Sequence, residues 1–421
     1  MNSNKSAFDC FVYIWLPGQT QAVTAGRFEL TKDRRGIPLG RFVYGRSYLA
    51  RADAAAIDPV ELKLSSEAYE TIRLNGVFGA LRDAGPDHWG RRIIEKRCGK
   101  TNLGEIDYLL ESPDDRTGAL GFGLGQQPPA PRRNFNETLA LEKLQKIAAA
   151  LVRDELSETG AEAIQVQDLL LLGTSMGGAR PKAVVEDDEG LWLAKFNRPD
   201  DRWNHVRVEH AMLELARRCG VSASTSRIET VGGEDALLVR RFDRERTAAG
   251  YTRARVISGL TLLRADESAE ARDRWSYVIM AEELRRVVAE PEKDARELYR
   301  RMCFNALITN IDDHPRNHAL VAKEGDWRLA PAYDLTPSPA ISQDRRDLAM
   351  ACGDAGRFAN AKNILSQHGR FLLDGDEAKT IVSAMTEKVR ATWYDVVREC
   401  GVSEKDAETI RRAFVYEGFL R

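Results

Sequence analysis

Asp312 and Asn317 are separated by four residues in Thr309-Asn310-Ile311-Asp312-Asp313-His314-Pro315-Arg316-Asn317, and Asp334 follows a little later. Metal-dependent phosphoryl transfer from ATP needs this order of groups. One carboxylate accepts or orients a hydroxyl proton, while an amide oxygen and a second carboxylate hold Mg2+ on the phosphates. Asp312 is then the candidate base, and Asn317 and Asp334 are the candidate metal ligands. Asp313 competes with Asp312 by adjacency, but the spacing to Asn317 selects Asp312. Taken alone, the stretch reads more readily as a helix-ending Asx turn, because Asn, Asp and Pro crowd such places. The next segment favours the chemical reading. Ala319 to Ala322, the turn Lys323-Glu324-Gly325-Asp326, and Trp327 to Ala330 form a hairpin pattern that would bring Asp334 back beneath one phosphate site.

Two further groups fit a nucleotide. Lys195 lies in Leu191-Trp192-Leu193-Ala194-Lys195-Phe196, where Leu191, Leu193 and Lys195 share one face of a strand. An ammonium on a leucine-bearing face needs an anionic partner, and Glu209 on the following helical pattern is the candidate. Such a pair can hold the α- and β-phosphates. The alternative is an ordinary strand lysine whose head reaches water, and Lys182 is a rival for the role. Gly173-Thr174-Ser175-Met176-Gly177-Gly178 could wrap phosphates with its amides, since glycine permits close approach. It matches neither usual phosphate-loop pattern and could be a plain turn.

The elements that must carry these groups are legible in outline. Strand-like runs cover 11–16, 21–30 and 41–44, and Asp87 precedes an apolar-basic run that suits a helix start. Gln126 to Arg133, rich in proline, breaks both periods and reads as a linker. A helix is expected over Glu137 to Glu155 and another over Asn204 to Cys219, whose apolar stripe is Val208, Ala211, Met212, Leu215 and Cys219. A strand is expected over Ala236 to Val239. Helical periodicity dominates from about Asp273 onward, and Leu298, Met302, Asn305 and Ile308 end a packed helix just before Asp312. The expected fold class is α+β: a protein-kinase-like bilobal fold with a small β-rich N-terminal domain (1–125), an ATP-binding N-lobe-like part (126–250) and a mainly helical C-lobe (251–421). The nucleotide is expected between the lobes.

Composition bounds the rest. A chain of 421 residues, 43% of them hydrophobic, exceeds the size of one compact core. Lys and Arg total 62 against 64 Asp and Glu, so no global basic field points to direct nucleic-acid binding. Six scattered cysteines with no zinc spacing read as reduced thiols. Without an apolar run of membrane length, a cytoplasmic protein is expected.

Together these segments resemble the HipA-family serine/threonine kinase toxins of bacterial type II toxin-antitoxin systems. The resemblance spans nearly the full chain and rests on Pro86-Asp87-His88-Trp89-Gly90-Arg91-Arg92, Ser175-Met176-Gly177-Gly178-Ala179-Arg180-Pro181-Lys182, Leu193-Ala194-Lys195-Phe196, Val208-Glu209, Arg241-Phe242-Asp243-Arg244, the Asp312 to Asn317 loop and Tyr333-Asp334-Leu335-Thr336. It implies Asp312 as catalytic aspartate, Asn317 and Asp334 as Mg2+ ligands and Lys195 as the ATP lysine. It also implies nucleotide contacts at Gly177, Gly178, Ala179, Arg180, Lys182, Glu209 and His314, with Arg240, Arg241 and Phe242 as the adenine hinge. Arg240 replaces a glutamate of related toxins, so a side-chain contact to adenine is not carried over. Ser175 matches an autophosphorylated serine whose modification inactivates the kinase, and Thr174 adjoins it. The implied partners are a helix-turn-helix antitoxin of the HipB type, through which alone DNA is met, and a protein substrate, in known cases an aminoacyl-tRNA synthetase. Two other readings compete: a small-molecule kinase of the aminoglycoside or choline type, which would lack the N-terminal β domain, and a non-catalytic co-repressor scaffold.

Overall fold

The computed structural model describes residues 8–101, 103–130, 136–137, 141, 145, 180–339 and 342–421, with only the backbone of 136–137 and 269–271. The chain forms two compact units interleaved in sequence. One gathers Met1–Arg198, Arg241–Ile257 and Val321–Asp326; the other gathers Pro199–Arg240, Ser258–Leu320 and Trp327–Arg421.

The first unit opens with an antiparallel sheet of β1 (Asp9–Trp15), β2 (Ala22–Lys32), β3 (Pro38–Tyr44), β4 (Tyr69–Thr71) and β5 (Leu120–Gly123), in the order β4-β3-β2-β1-β5. Val12, Ile14, Phe28 and Phe42 are wholly buried, the inward half of an alternating pattern. Helix α1 (His88–Cys98) starts where the sequence signals it. Asp87 caps it by accepting from the Gly90 amide at 2.7 Å, and Gly99 closes it at φ +60°. Further on, β6 (Asn136–Glu137) runs parallel to β7 (Lys182–Asp187), which pairs antiparallel with β8 (Gly190–Phe196). The helix expected over Glu137 to Glu155 begins instead with a strand residue at Glu137, and apart from positions 141 and 145 the remainder lies outside the described residues.

In the second unit, Asn204 caps α2 (His205–Arg218), accepting from the Arg207 amide at 3.1 Å. Of the expected stripe, Val208, Ala211, Met212 and Leu215 are buried, while Cys219, at the C-cap, is half-buried. Strands β9 (Ser226–Val231) and β10 (Glu234–Arg240) form an antiparallel pair. Helices α3 (Tyr277–Arg285) and α4 (Pro291–Leu307) follow. Pro291 sits at the first position of α4, and Glu292 and Asp294 complement the positive end of its dipole. The 25-residue α5 (Gly375–Glu399) carries a capping box from Asp374 and Glu377 and packs on both α2 and α4. The architecture is α+β.

Candidate active site

The Asp312 loop is built on the end of α4. Beyond Leu307 the chain reverses through Thr309 at φ +55°, a conformation a β-branched residue adopts only under constraint. Asp313 turns inward. Its carboxylate, 1% exposed, accepts from the Tyr277 hydroxyl and lies 2.9 Å from Nε2 of His318. Asn305 Nδ2 donates to the same hydroxyl at 3.1 Å. With Asp313 sealed beneath the loop, Asp312 is the aspartate that faces solvent. Asn317 is buried, and its Nδ2 donates to the Asp312 carbonyl at 3.2 Å, which fixes the amide so that Oδ1 remains as the group able to meet a cation. Gly259 is required for close approach here, since a Cβ on it would lie 2.6 Å from the Pro315 carbonyl oxygen.

Asp334 comes back to this loop. The strands Ala319–Ala322 and Trp327–Leu329 flank the expected turn, and the Ala330 amide donates to the Ala319 carbonyl at 2.8 Å. Tyr333 then donates from its hydroxyl to the Arg316 carbonyl at 2.8 Å, and the Ser338 amide donates to the Thr309 carbonyl at 3.1 Å. Between these ties Asp334 is held at φ +58°. Its charge is felt at Asp312, whose carboxyl is pushed above the ordinary aspartate range by burial and by Asp334, with His314 acting in the opposite direction. His314 stands edge-on to Trp275, ring centroids 6.4 Å apart, and its Nδ1 finds no hydrogen-bond partner among the described residues.

The remaining expected residues are distributed over both units. In the first, β7 and β8 pair so that Lys182 lies opposite Lys195 and Val184 opposite Leu193, which puts both lysines on one sheet face. Val184, Leu191 and Leu193 form an apolar cluster on that face with Tyr251 against it. The lysines differ in setting. Lys182, 1% exposed, places its ammonium 2.6 Å from Asp87, whereas Lys195 is only half-buried. Arg180 and Phe242 are also half-buried. The Arg241 side chain is sealed inside the unit, with Nη1 2.6 Å from Asp115 and Nη2 2.9 Å from Asp243. Its charge is therefore engaged within the protein. In the second unit Glu209 is buried on α2, and Arg240 is exposed at the end of β10. Ser175, Gly177, Gly178 and Ala179 lie outside the described residues. Sequence reasoning had no signal for Asp115, nor for Tyr277 and His318 beneath the loop. Asp87 was visible as a helix cap, but its second bond, to Lys182, was not.

Among the described residues no three His, Cys, Asp or Glu side chains gather as a metal site. An amide oxygen and one carboxylate nevertheless suit Mg2+, a hard cation that takes few protein ligands and completes its shell with phosphate and water. The repulsion between Asp312 and Asp334 is what a cation would relieve.

Comparison with known proteins bears on family and fold. Residues 174–393 match the model of the HipA-like C-terminal domain, and residues 19–123 match the HipA N-terminal domain. The chain belongs to the HipA family. Among its curated relatives are an inferred kinase of Haemophilus influenzae, 24% identical over 242 residues (52% of this chain, 70% of that one), and the inferred kinase Y4mE of Sinorhizobium fredii, 26% identical over 350 residues (77% and 78%). Its fold is that of HipA from Shewanella oneidensis MR-1, solved in complex with HipB and operator DNA. The two superpose with a TM-score of 0.67 at 16% identity, covering 96% of this chain and 94% of that one. No helix among the described residues of this HipA-family chain is long and apolar enough to cross a membrane.

Proposed function

We propose that this chain is a serine/threonine protein kinase that transfers the γ-phosphoryl group of ATP, with Mg2+, to a protein. The observation that carries the reading is geometric: the loop that presents Asp312 to solvent also locks Asn317 through the Asp312 carbonyl, and Tyr333 ties the chain just before Asp334 to the same loop. Asp312 takes the proton of the substrate hydroxyl as its oxygen attacks phosphorus, a task for which a raised carboxyl pKa is suited. Asn317 Oδ1 and the Asp334 carboxylate would hold Mg2+, which would supply charge neutralisation to the phosphates. Lys195 is assigned to the α- and β-phosphates because its strand face is otherwise apolar and because the ammonium of the rival, Lys182, is taken by Asp87.

Within that reading, Ser175 is the regulatory phosphosite. A phosphate there would add nearly two negative charges within a few positions in sequence of Gly177 to Lys182, which the resemblance assigns to the nucleotide. A HipB-type antitoxin is the proposed partner, supported by the complex in which the Shewanella HipA was solved. The class of substrate we propose is an aminoacyl-tRNA synthetase, whose modification would halt translation, and the compartment is the cytoplasm. Incubation of the purified protein with γ-labelled ATP tests the core claim. Magnesium-dependent label should appear on the protein itself or on one protein of a cell extract, and Asp312→Asn should abolish it. Label entering a small metabolite instead would favour an aminoglycoside-type kinase, and ATP binding without transfer would favour a scaffold.

A further inference from the structure

Thr309 is held on every side. Its hydroxyl donates to the Ala413 carbonyl at 2.5 Å and accepts from Arg346 Nη1, its amide donates to Ala306, and its carbonyl receives the amides of Ile311 at 3.0 Å and Ser338 at 3.1 Å. The side chain is 1% exposed. A helix that only needed to stop would end more easily on Gly or Asn, which tolerate positive φ, so a threonine here requires another reason.

Arg346 supplies part of it. The buried guanidinium donates to Arg412 at 2.7 Å, Ala413 at 3.3 Å, Ser342 at 2.9 Å and Gln343 at 3.3 Å, and it stacks 4.5 Å above the Tyr416 ring. The Val415 amide donates to the Leu307 carbonyl at 2.7 Å, at the very end of α4. Residues 412–416, remote in sequence, are thereby fastened to the position three residues before Asp312. Through Ser338 the same threonine is fastened to the chain four residues beyond Asp334. Thr309 and Asp334 are both held at positive φ, and strain of this kind persists only where surrounding contacts over-determine it.

We propose that Thr309 and Arg346 are positioning residues of the phosphotransfer site, a clamp through which the segment 412–416 sets the orientation of Asp312 relative to Asp334. This rests on the kinase reading above. Neither residue touches substrate; the clamp acts through the loop it holds, where small misplacement of a reacting group is costly.

The test uses the full chain with Thr309→Val, which keeps the shape and removes the hydroxyl, Thr309→Ser, which restores it, and Arg346→Lys. Thr309→Val should lower kcat by about tenfold to a hundredfold while the KM for ATP stays within about twofold. Its amides from 310 to 317 should exchange faster with solvent while those inside α4 keep their protection. Thr309→Ser should recover both properties, and Arg346→Lys should resemble the valine variant. Unchanged kcat with unchanged exchange in the loop would overturn the clamp, as would an equal loss of protection throughout α4. If the wild-type protein transfers no phosphate at all, the kinase reading falls, and the exchange measurement still decides whether Thr309 holds the loop.

Discussion

A carboxylate that must remove a proton works best when its own affinity for protons exceeds that of a free side chain, and Asp312 is arranged in that way. The sign of the pH dependence follows. In the proposed mechanism Asp312 acts in its ionised form, so phosphotransfer should fall as pH drops through a value above the usual aspartate pKa of about 4. A carboxyl titration followed by NMR should find the Asp312 pKa lowered in Asp334→Asn, because a repelling charge has been removed. Asp312→Asn should cut the transfer rate by about a hundredfold to ten-thousandfold, the range for loss of a positioned base, and leave ATP affinity measured by calorimetry nearly intact. Asp313→Asn should behave differently. It disturbs the bonds to Tyr277 and His318 under the loop, so its cost should appear in thermal stability as well as in rate.

At the scale of elements, the periodic segments and the hairpin of Ala319–Ala322 with Trp327–Leu329 were legible, and the other pairings were not. Asp87 and the stripe of α2 announced helices from local chemistry alone. The Asp312-x4-Asn317 spacing named its loop because a short loop fixes which side chains can converge. Strands β9 and the hairpin Arg244–Thr247 with Gly250–Arg253 escaped notice, since exposed Arg, Glu and Thr residues blur the apolar alternation. The contrast between Lys182 and Lys195 was equally hidden: one meets Asp87, 95 positions earlier in the chain, and no local pattern encodes such a contact. Breaking that buried pair by Asp87→Ala should cost about 3–5 kcal/mol in denaturant unfolding, because it removes the carboxylate 2.6 Å from a buried ammonium. Gly259→Ala should lower activity in a labelled-ATP assay and cost about 1–3 kcal/mol, since the Cβ would push Pro315 and the loop after it.

For the molecule as a whole, the consequential fact is that neither unit is a continuous stretch of chain. Within the first, Arg241 and Arg244 bind Asp115 and Asp243, while Arg253 lies 3.1 Å from Asp114. Against burial, which pushes it up, Arg241 and Arg244 hold the Asp243 carboxyl well below the usual range. A depressed carboxyl pKa contributes stability that is present above its unfolded value, about 4, and lost as pH falls below it. Acid unfolding of the wild-type protein should therefore steepen below about pH 4, and this component should shrink in Arg241→Met, where Arg244 remains beside Asp243, while the substitution itself should cost about 3–5 kcal/mol. The same interleaving has a consequence for synthesis. While the ribosome is still translating toward codon 241, Asp114 and Asp115 have already emerged, but the arginines that will neutralise them do not yet exist. The five strands of the N-terminal sheet can therefore pair early, while Asp114 and Asp115 go without these partners until residue 253 has cleared the exit tunnel.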